Sequence, residues 1–574
     1  MLNRYYEQEL GYLRTLAAEF AASNPALAPL LGADSASDPD VERLLEGVAF
    51  MTGLVRHRLD DDFPEFIQNL AQLLFPHMLR PLPCMTIMRY EPRATLEEPV
   101  VIPAGTEFAS VPVDGQRTIF RASFPVTLEP VELKSVQWEG GGTRPRSLRM
   151  QFAMVGPAAA DWKSDRLRLY LGDAPADAAR LYLLLQRYVS EVRISAEGGP
   201  ITTLPPSCIE PAGLRPDLEL LPWPAGAHPA WRVLHEYFAM PEKLMFLDLS
   251  GLSNWTGRGK ATAFSIQILF DQVPDWAPAV GASSFIMNAT PAANLFATDA
   301  HPIRVDHIQP DYRIHPVARS NKAVERIFSV DGVRARAGDG SERDYHPVSA
   351  FRGGDETSYN VSIRSSALHR DYDHFLSLPY TGNDTPRQQT LSVRLTCTHG
   401  ALPEGLRLGD VSEPTDNSPA RIGFRNIHGV TPHCPPVIDS ALLWRVLSHL
   451  NANHLALASD GQLRDLLSLY VPPRQVDAQR NAAARRSIES IVKVTVESAR
   501  RIVRGMPVQG SEVTIECRGD HFPGPGSLFM FGTVLDEFLA GTTAINTFSA
   551  LTLVDTVNGE TQKWPAKIGR YRLL

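Results

Sequence analysis

Residues 38–83, DPDVERLLEGVAFMTGLVRHRLDDDFPEFIQNLAQLLFPHMLRPLP, hold the change of texture that decides the fold. Asp38-Pro39 reads as a cap followed by proline at the first helical position, where the missing N–H costs nothing. Val41, Leu44, Leu45, Val48, Met51 and Val55 then recur at helical spacing. A further helix is expected from near Pro64, carrying Phe66, Ile67, Leu70, Leu73 and Leu74 and stopping at Pro76. Asp60-Asp61-Asp62 between them reads as the end of one helix and the cap of the next, since carboxylates are favoured at a helix N-terminus. Pro81-Leu82-Pro83 is a stiff joint, and past it alternation replaces the helical period.

On the N-terminal side, Tyr6, Leu10, Leu13, Ala17 and Phe20 follow one another at spacings of 4, 3, 4 and 3, which puts them on one helical face. Asn3 suits the cap and Asn24-Pro25 the stop. Residues 1–80 therefore read as three helices. Within 1–84 there are 12 Asp/Glu and 6 Arg with no Lys, a net charge of −6 out of −8 for all 574 residues. We expect 1–84 to be an acidic helical docking module whose partner-binding residues are Tyr6, Leu10, Leu13, Ala17 and Phe20; the alternative is that this face packs on the two helices that follow.

On the C-terminal side, MTIMRY and VVIPAGTEF open a β-rich domain over 85–201. Inside it, alternating Leu167, Leu169 and Leu171, helical spacing over 177–188, and alternating Val192 and Ile194 predict a strand–helix–strand unit. A second β-rich domain is expected over 202–396, with KLMFLDL, FSIQILF and LSVRLTC as its strands. The remainder, 397–574, reads as an α/β domain. Its helices fall near Ser440 (Leu443, Leu447 and Leu450 on one face), over 461–470, over 477–490 and over 528–539. Its strands carry Val492/Val494/Val496, Val513/Ile515/Cys517 and Phe548/Leu551/Leu553. The fold class is thus α+β and multidomain: a helical N-terminal module, β-rich middle domains and an α/β C-terminal domain. Forty-six prolines fit many short strands joined by stiff loops.

Motifs for chemistry fail on identifiable residues. His235-Glu236 begins a zinc-protease pattern, but Ala239 stands where the second histidine belongs. Gly257-Arg258-Gly259-Lys260 resembles the tail of a phosphate loop, but Asn254 replaces the first glycine and Ala261 the hydroxyl residue. Cys397/His399 and His433/Cys434 lack a second pair at zinc spacing and read as buried strand cysteines with loop histidines. Asp520-His521 reads as a turn residue beside a solvated histidine. No catalytic, cofactor-binding or metal residue is assigned. Five widely spaced cysteines and an N-terminus without an apolar signal core fit a cytoplasmic protein with reduced thiols. The net charge argues against nucleic acid, and no stretch is apolar enough for membrane insertion. Residues 474–518 hold nine Arg/Lys against five acids, a solvated face or a contact for an acidic partner.

Several strings resemble the TssF family of type VI secretion baseplate proteins. They are YYEQELGYLRTLAAEFAASNPALAPLLG (5–32), the 38–83 stretch, LHEYFAMPEKLMFLDLSGL (234–252), NATPAANLF (288–296) and LLWRVLSHLNANHLAL (442–457). FPGPGSLFMFGTVLDEFLA, INTFSALTL and WPAKIG (between 522 and 569) complete the set. The resemblance implies a non-enzymatic wedge subunit in a contractile injection machine, akin to phage baseplate wedge proteins. It further implies assembly with TssG, two copies of this chain to one, self-association within the wedge, and contacts with TssK, TssE and a VgrG hub. The implied place is cytoplasmic, at the inner face of the membrane. Two other readings stay open at this point. One is a multidomain hydrolase built around Asp520 and His521. The other is a carbohydrate-binding β protein using Trp223, Trp231 or Trp276.

Overall fold

The computed structural model describes residues 39–569 except 93–95, 97, 142–143, 319–324, 349–356, 367–371, 380–387, 420, 440–442, 444, 446–459, 473–477 and 504–505, together with residues 6, 7, 10, 11, 13 and 14. The chain is a mixed α+β, multidomain protein. Its first bounded element is a single 36-residue helix, α1 (Pro39–Leu74). This corrects the expectation of two helices: Pro64 and Asp60-Asp61-Asp62 lie inside one continuous helix and do not divide it. An interior proline removes one backbone hydrogen bond and costs about 3 kcal/mol. The Leu-, Glu-, Gln- and Ala-rich runs on either side favour helix, and Ile67 and Ala71 are buried in the core beyond it.

Past α1, the 3₁₀ turn Pro76–Leu79 leads into strand Met85–Pro92. This strand pairs antiparallel with Ala289–Ala293 on one side and Ile422–Asn426 on the other, in a five-stranded sheet. A second five-stranded sheet centres on Ala263–Phe270, between Val189–Ala196 and Arg144–Met154. Period-two alternation decides its faces: Phe264, Ile266, Ile268 and Phe270 are buried, while the residues between them are half-exposed. Phe264 stacks on Phe152 at 5.0 Å and on Trp162 at 5.4 Å. Both strands of the expected strand–helix–strand unit form, as do its helix α2 (Pro175–Arg187) and the turn into Val189–Ala196. The two strands enter different sheets, however, Leu167–Leu171 pairing with Phe246–Leu249. In KLMFLDL only Phe246–Leu249 is strand, because Lys243-Leu244-Met245 close a 3₁₀ turn. Strands between Phe296 and Thr398 form an eight-stranded sheet over a core of its own.

After helix α3 (Pro229–Ala239), the C-terminal elements are α4 (Asp460–Ser468), α5 (Ala478–Glu489) and the long hairpin Ile491–Val503/Met506–Cys517. The second hairpin strand runs parallel to Thr547–Asp555 and reaches it through helix α6 (Pro525–Thr542). Leu443 is helical and buried; Leu447 and Leu450 lie outside the described residues. Helix α6 is apolar around most of its circumference, as a core helix is, and its Asp536 and Glu537 are paired with Lys567. Its first turn meets α2 so closely that a Cβ on Gly526 would lie 2.3 Å from the Ala179 carbonyl. All five cysteines are buried and no disulfide joins them.

The exit of α1 is held by a ring cluster. His77 stacks on Trp223 at 4.6 Å, meets His235 edge-on at 5.6 Å, and lies with its Nε2 3.4 Å from the Tyr470 hydroxyl. Trp231 on α3 touches Phe75, Tyr470 and Phe538, so one cluster links α1, α3, α6 and the end of α4. Burial, then His235 and Arg80, holds the His77 pKa well below its ordinary 6.5. Burial likewise pushes His235 and His374 down to about 4.

Because these histidines bind protons less readily folded than unfolded, their contribution is complete above pH 6.5 and is lost as the pH falls toward 4. The thermal midpoint is expected to fall steadily across that window, and His374→Gln is expected to flatten the decline. Gly526→Ala is expected to destabilise by about 1–3 kcal/mol, read from denaturant midpoints, because a methyl there meets backbone.

Candidate docking surface

Of the five expected partner-binding residues, Tyr6, Leu10 and Leu13 are helical as predicted. Leu10 is buried and its two neighbours are half-buried; Ala17 and Phe20 lie outside the described residues. The larger exposed apolar surface is on α1. Leu44, Val48, Met51, Phe66 and Leu73 are all exposed, Leu44, Met51 and Phe66 by more than 60%. At roughly 100° per residue these five fall within an arc of about 60°. Ala49, Ile67 and Ala71 are buried and lie on the other side, roughly 120–180° round the helix. The helix thus has two apolar faces, one packed into the chain's own core and one open. Phe50 is exposed away from both.

The sequence carried a signal for this that periodicity alone did not use. Leu44-Leu45, Phe66-Ile67 and Leu73-Leu74 are adjacent apolar pairs, and neighbours on a helix point about 100° apart. Each pair spans about 100° of the helix surface, so together they widen the apolar surface beyond a narrow stripe. Monomers seldom expose a long apolar stripe, and such a stripe marks a contact surface. The helix is acidic in composition: α1 holds Asp40, Glu42, Glu46, Asp60, Asp61, Asp62 and Glu65 against three arginines.

The residues weighed for chemistry have other occupations. Glu236 forms an ion pair with the buried Lys243 and accepts from the Leu220 N–H at 2.8 Å, so both its carboxylate oxygens are engaged in supporting structure. Arg258 caps the carbonyls of Leu252 and Trp255 and lies over the Trp162 and Trp255 rings. Asp520 is bound twice by Arg518, and His521 meets the Arg486 carbonyl at 3.0 Å. The two do not form a dyad. Cys397 is a buried strand residue as expected, but His399 is buried as well, its Nδ1 3.0 Å from Asn294. Among the described residues no group of three or more His, Cys, Asp or Glu converges as a metal site, and no helix is long and apolar enough to cross a membrane.

Trp223, Trp231 and Trp276 are each buried or half-buried against neighbouring groups. Trp231 is buried, Trp223 lies against His77 and donates to the Ala227 carbonyl, and Trp276 packs on Tyr188. In the basic stretch, Arg480 pairs with Glu242, Arg501 with Glu512 and Arg518 with Asp520, so three of its nine basic side chains are answered within the chain by these pairs.

The family model for the type VI secretion system protein TssF matches residues 1–571. The type VI secretion system component TssF1 of Pseudomonas aeruginosa strain PAO1 is 30% identical over 628 aligned positions, spanning 99% of this chain and 98% of the relative. A chain of the TssK-TssF-TssG baseplate subcomplex superposes with a TM-score of 0.79 at 26% identity, covering 93% of this chain and 99% of the other. A chain of the type VI secretion baseplate complex shares the fold, with a TM-score of 0.60 at 23% identity over the full length of both. Matched along nearly its whole length by sequence and by structure, the chain belongs to the TssF family of type VI secretion baseplate subunits.

Proposed function

We propose that this TssF-family chain is a non-catalytic wedge subunit that assembles with TssG by burying the open apolar face of α1. The observation that carries this reading is the two-faced helix: one stripe is satisfied by the chain and the opposite stripe is exposed. The structural relative at 26% identity comes from a subcomplex with TssK and TssG, which supports those two partners. The family resemblance supports two copies of this chain per TssG, self-association in the wedge, contacts with TssE and a VgrG hub, and a place at the cytoplasmic face of the inner membrane.

In this reading α1 and the residues before it form one acidic helical docking module, extended by Tyr6, Leu10, Leu13, Ala17 and Phe20. Residues 397–574 are largely an α/β unit around the parallel pair Met506–Cys517/Thr547–Asp555. Strands from both sides of residues 201 and 396 share sheets, so those two positions are better read as joints in the sequence than as gaps between bodies. Burying five large side chains is worth on the order of 5–10 kcal/mol gross, from which the cost of association is subtracted.

The test is co-expression with TssG and the mass of the purified complex. A Leu44→Asp/Met51→Asp double variant is expected to cut recovery of the complex at least tenfold while the isolated chain keeps its far-ultraviolet circular dichroism. Undiminished recovery would overturn the docking reading. Leu13→Asp, measured in parallel, reports whether the face around Leu10 contributes; unchanged recovery and a lowered thermal midpoint would assign it to the chain's own core.

A further inference from the structure

Helix α1 is gripped near its C-terminal end by an uncommon contact. Gln68, only 7% exposed, donates its Nε2 to the Ile363 carbonyl at 2.7 Å and accepts the Ile363 N–H at its Oε1 at 3.2 Å. One side chain thereby satisfies both backbone groups of a residue in strand Ser358–Ser365, as a neighbouring strand would. Asn69 accepts from Asn360 of the same strand at 2.9 Å. Arg80, just past the helix, donates to the Pro222 carbonyl at 2.8 Å and lies over the Phe328 ring at 5.2 Å. The described side chains between Asp40 and Thr52 are exposed, apart from Ala49.

We propose that Gln68 is a positioning residue: its paired hydrogen bonds to Ile363 fix the angle at which α1 presents its open apolar face. The inference rests on the docking reading above and adds the element that aims the surface. Leverage is the physical reason. Leu44 is 24 residues from Gln68, roughly 36 Å along the helix at 1.5 Å per residue. The backbone stays helical through Pro64, so a tilt of about 10° at Gln68 moves Leu44 by about 6 Å, more than the 5.4 Å pitch of a helix. A displacement of that size takes each side chain of the stripe out of its place in a facing groove. Amide chemistry fits this role, because glutamine offers one donor and one acceptor side by side and a strand residue needs both.

The test uses the full chain co-expressed with TssG. Gln68→Ala is expected to weaken the complex at least tenfold with a loss of only a few degrees in the thermal midpoint of the isolated chain. Gln68→Glu separates aim from stability. Ionised, it has no proton for the Ile363 carbonyl; protonated, it restores one donor and one acceptor. Its affinity for TssG is expected to be low at pH 8 and to recover toward wild type at pH about 5, with wild-type protein measured at both values. Spin labels at Glu46→Cys and Ser365→Cys read the angle directly, and their distance distribution is expected to broaden when Gln68→Ala is added. Wild-type affinity for Gln68→Ala, or an unchanged distance distribution, overturns the positioning role. Loss of the complex in Leu44→Asp/Met51→Asp, with none in Gln68→Ala, sinks this inference alone, whereas full recovery of the Leu44→Asp/Met51→Asp complex sinks the docking reading beneath it.

Discussion

A helix that carries apolar side chains on two opposite faces and meets the body of its own chain with only one of them leaves the other to water. Ile67 and Ala71 turn α1 into the core, and Leu44, Val48, Met51, Phe66 and Leu73 on the other side face solvent. Water penalises that exposure whatever the rest of the chain does, and the penalty falls when a second surface covers the stripe. The rest of the architecture can be understood as holding such a helix steady. The ring cluster around His77 fixes its exit, Arg80 ties the following turn to Pro222 and Phe328, and Gln68 bonds it to a strand nearly three hundred residues away.

The body that holds the helix is knitted across the sequence. Strand Met85–Pro92 lies between partners from 289–293 and 422–426, and Tyr470 reaches the same cluster as His77 and Trp231. Buried charges are answered in place: Asp248 is held by Arg168 through two hydrogen bonds and by Arg215 at 3.2 Å, and Lys243 by Glu236. Removing one partner of such a set leaves an uncompensated charge in the interior, so these groups are better explained by structure than by catalysis. That agrees with a family whose members are parts of a machine.

Much of this was legible in the chain itself. Alternation located Ala263–Phe270 and Gln389–Thr398, and helical spacing located α2, α4, α5 and α6. Local pattern misled at Pro64, where helix-favouring flanks and the burial of Ile67 and Ala71 outweighed one lost hydrogen bond. It was silent on pairing, since nothing near Leu167 or Val192 says that their strands join different sheets. The docking face was half legible. The five residues of the open stripe and Ile67 were identified, Ala49, Phe50 and Ala71 were not, and spacing alone could not tell which stripe the core would take. Gln68 was invisible, because its meaning depends on Ile363, and no local pattern relates two residues so far apart.

The central claim is that the stripe led by Leu44 and Met51 becomes buried on assembly. Hydroxyl-radical footprinting of the isolated chain and of its complex with TssG measures this most directly, since Met51 and Phe66 are both reactive and both more than 60% exposed. The account predicts strong protection of Met51 and Phe66 in the complex and little change at exposed apolar positions elsewhere, such as Ile308 and Val557. Equal labelling of Met51 and Phe66 in the two states would contradict it.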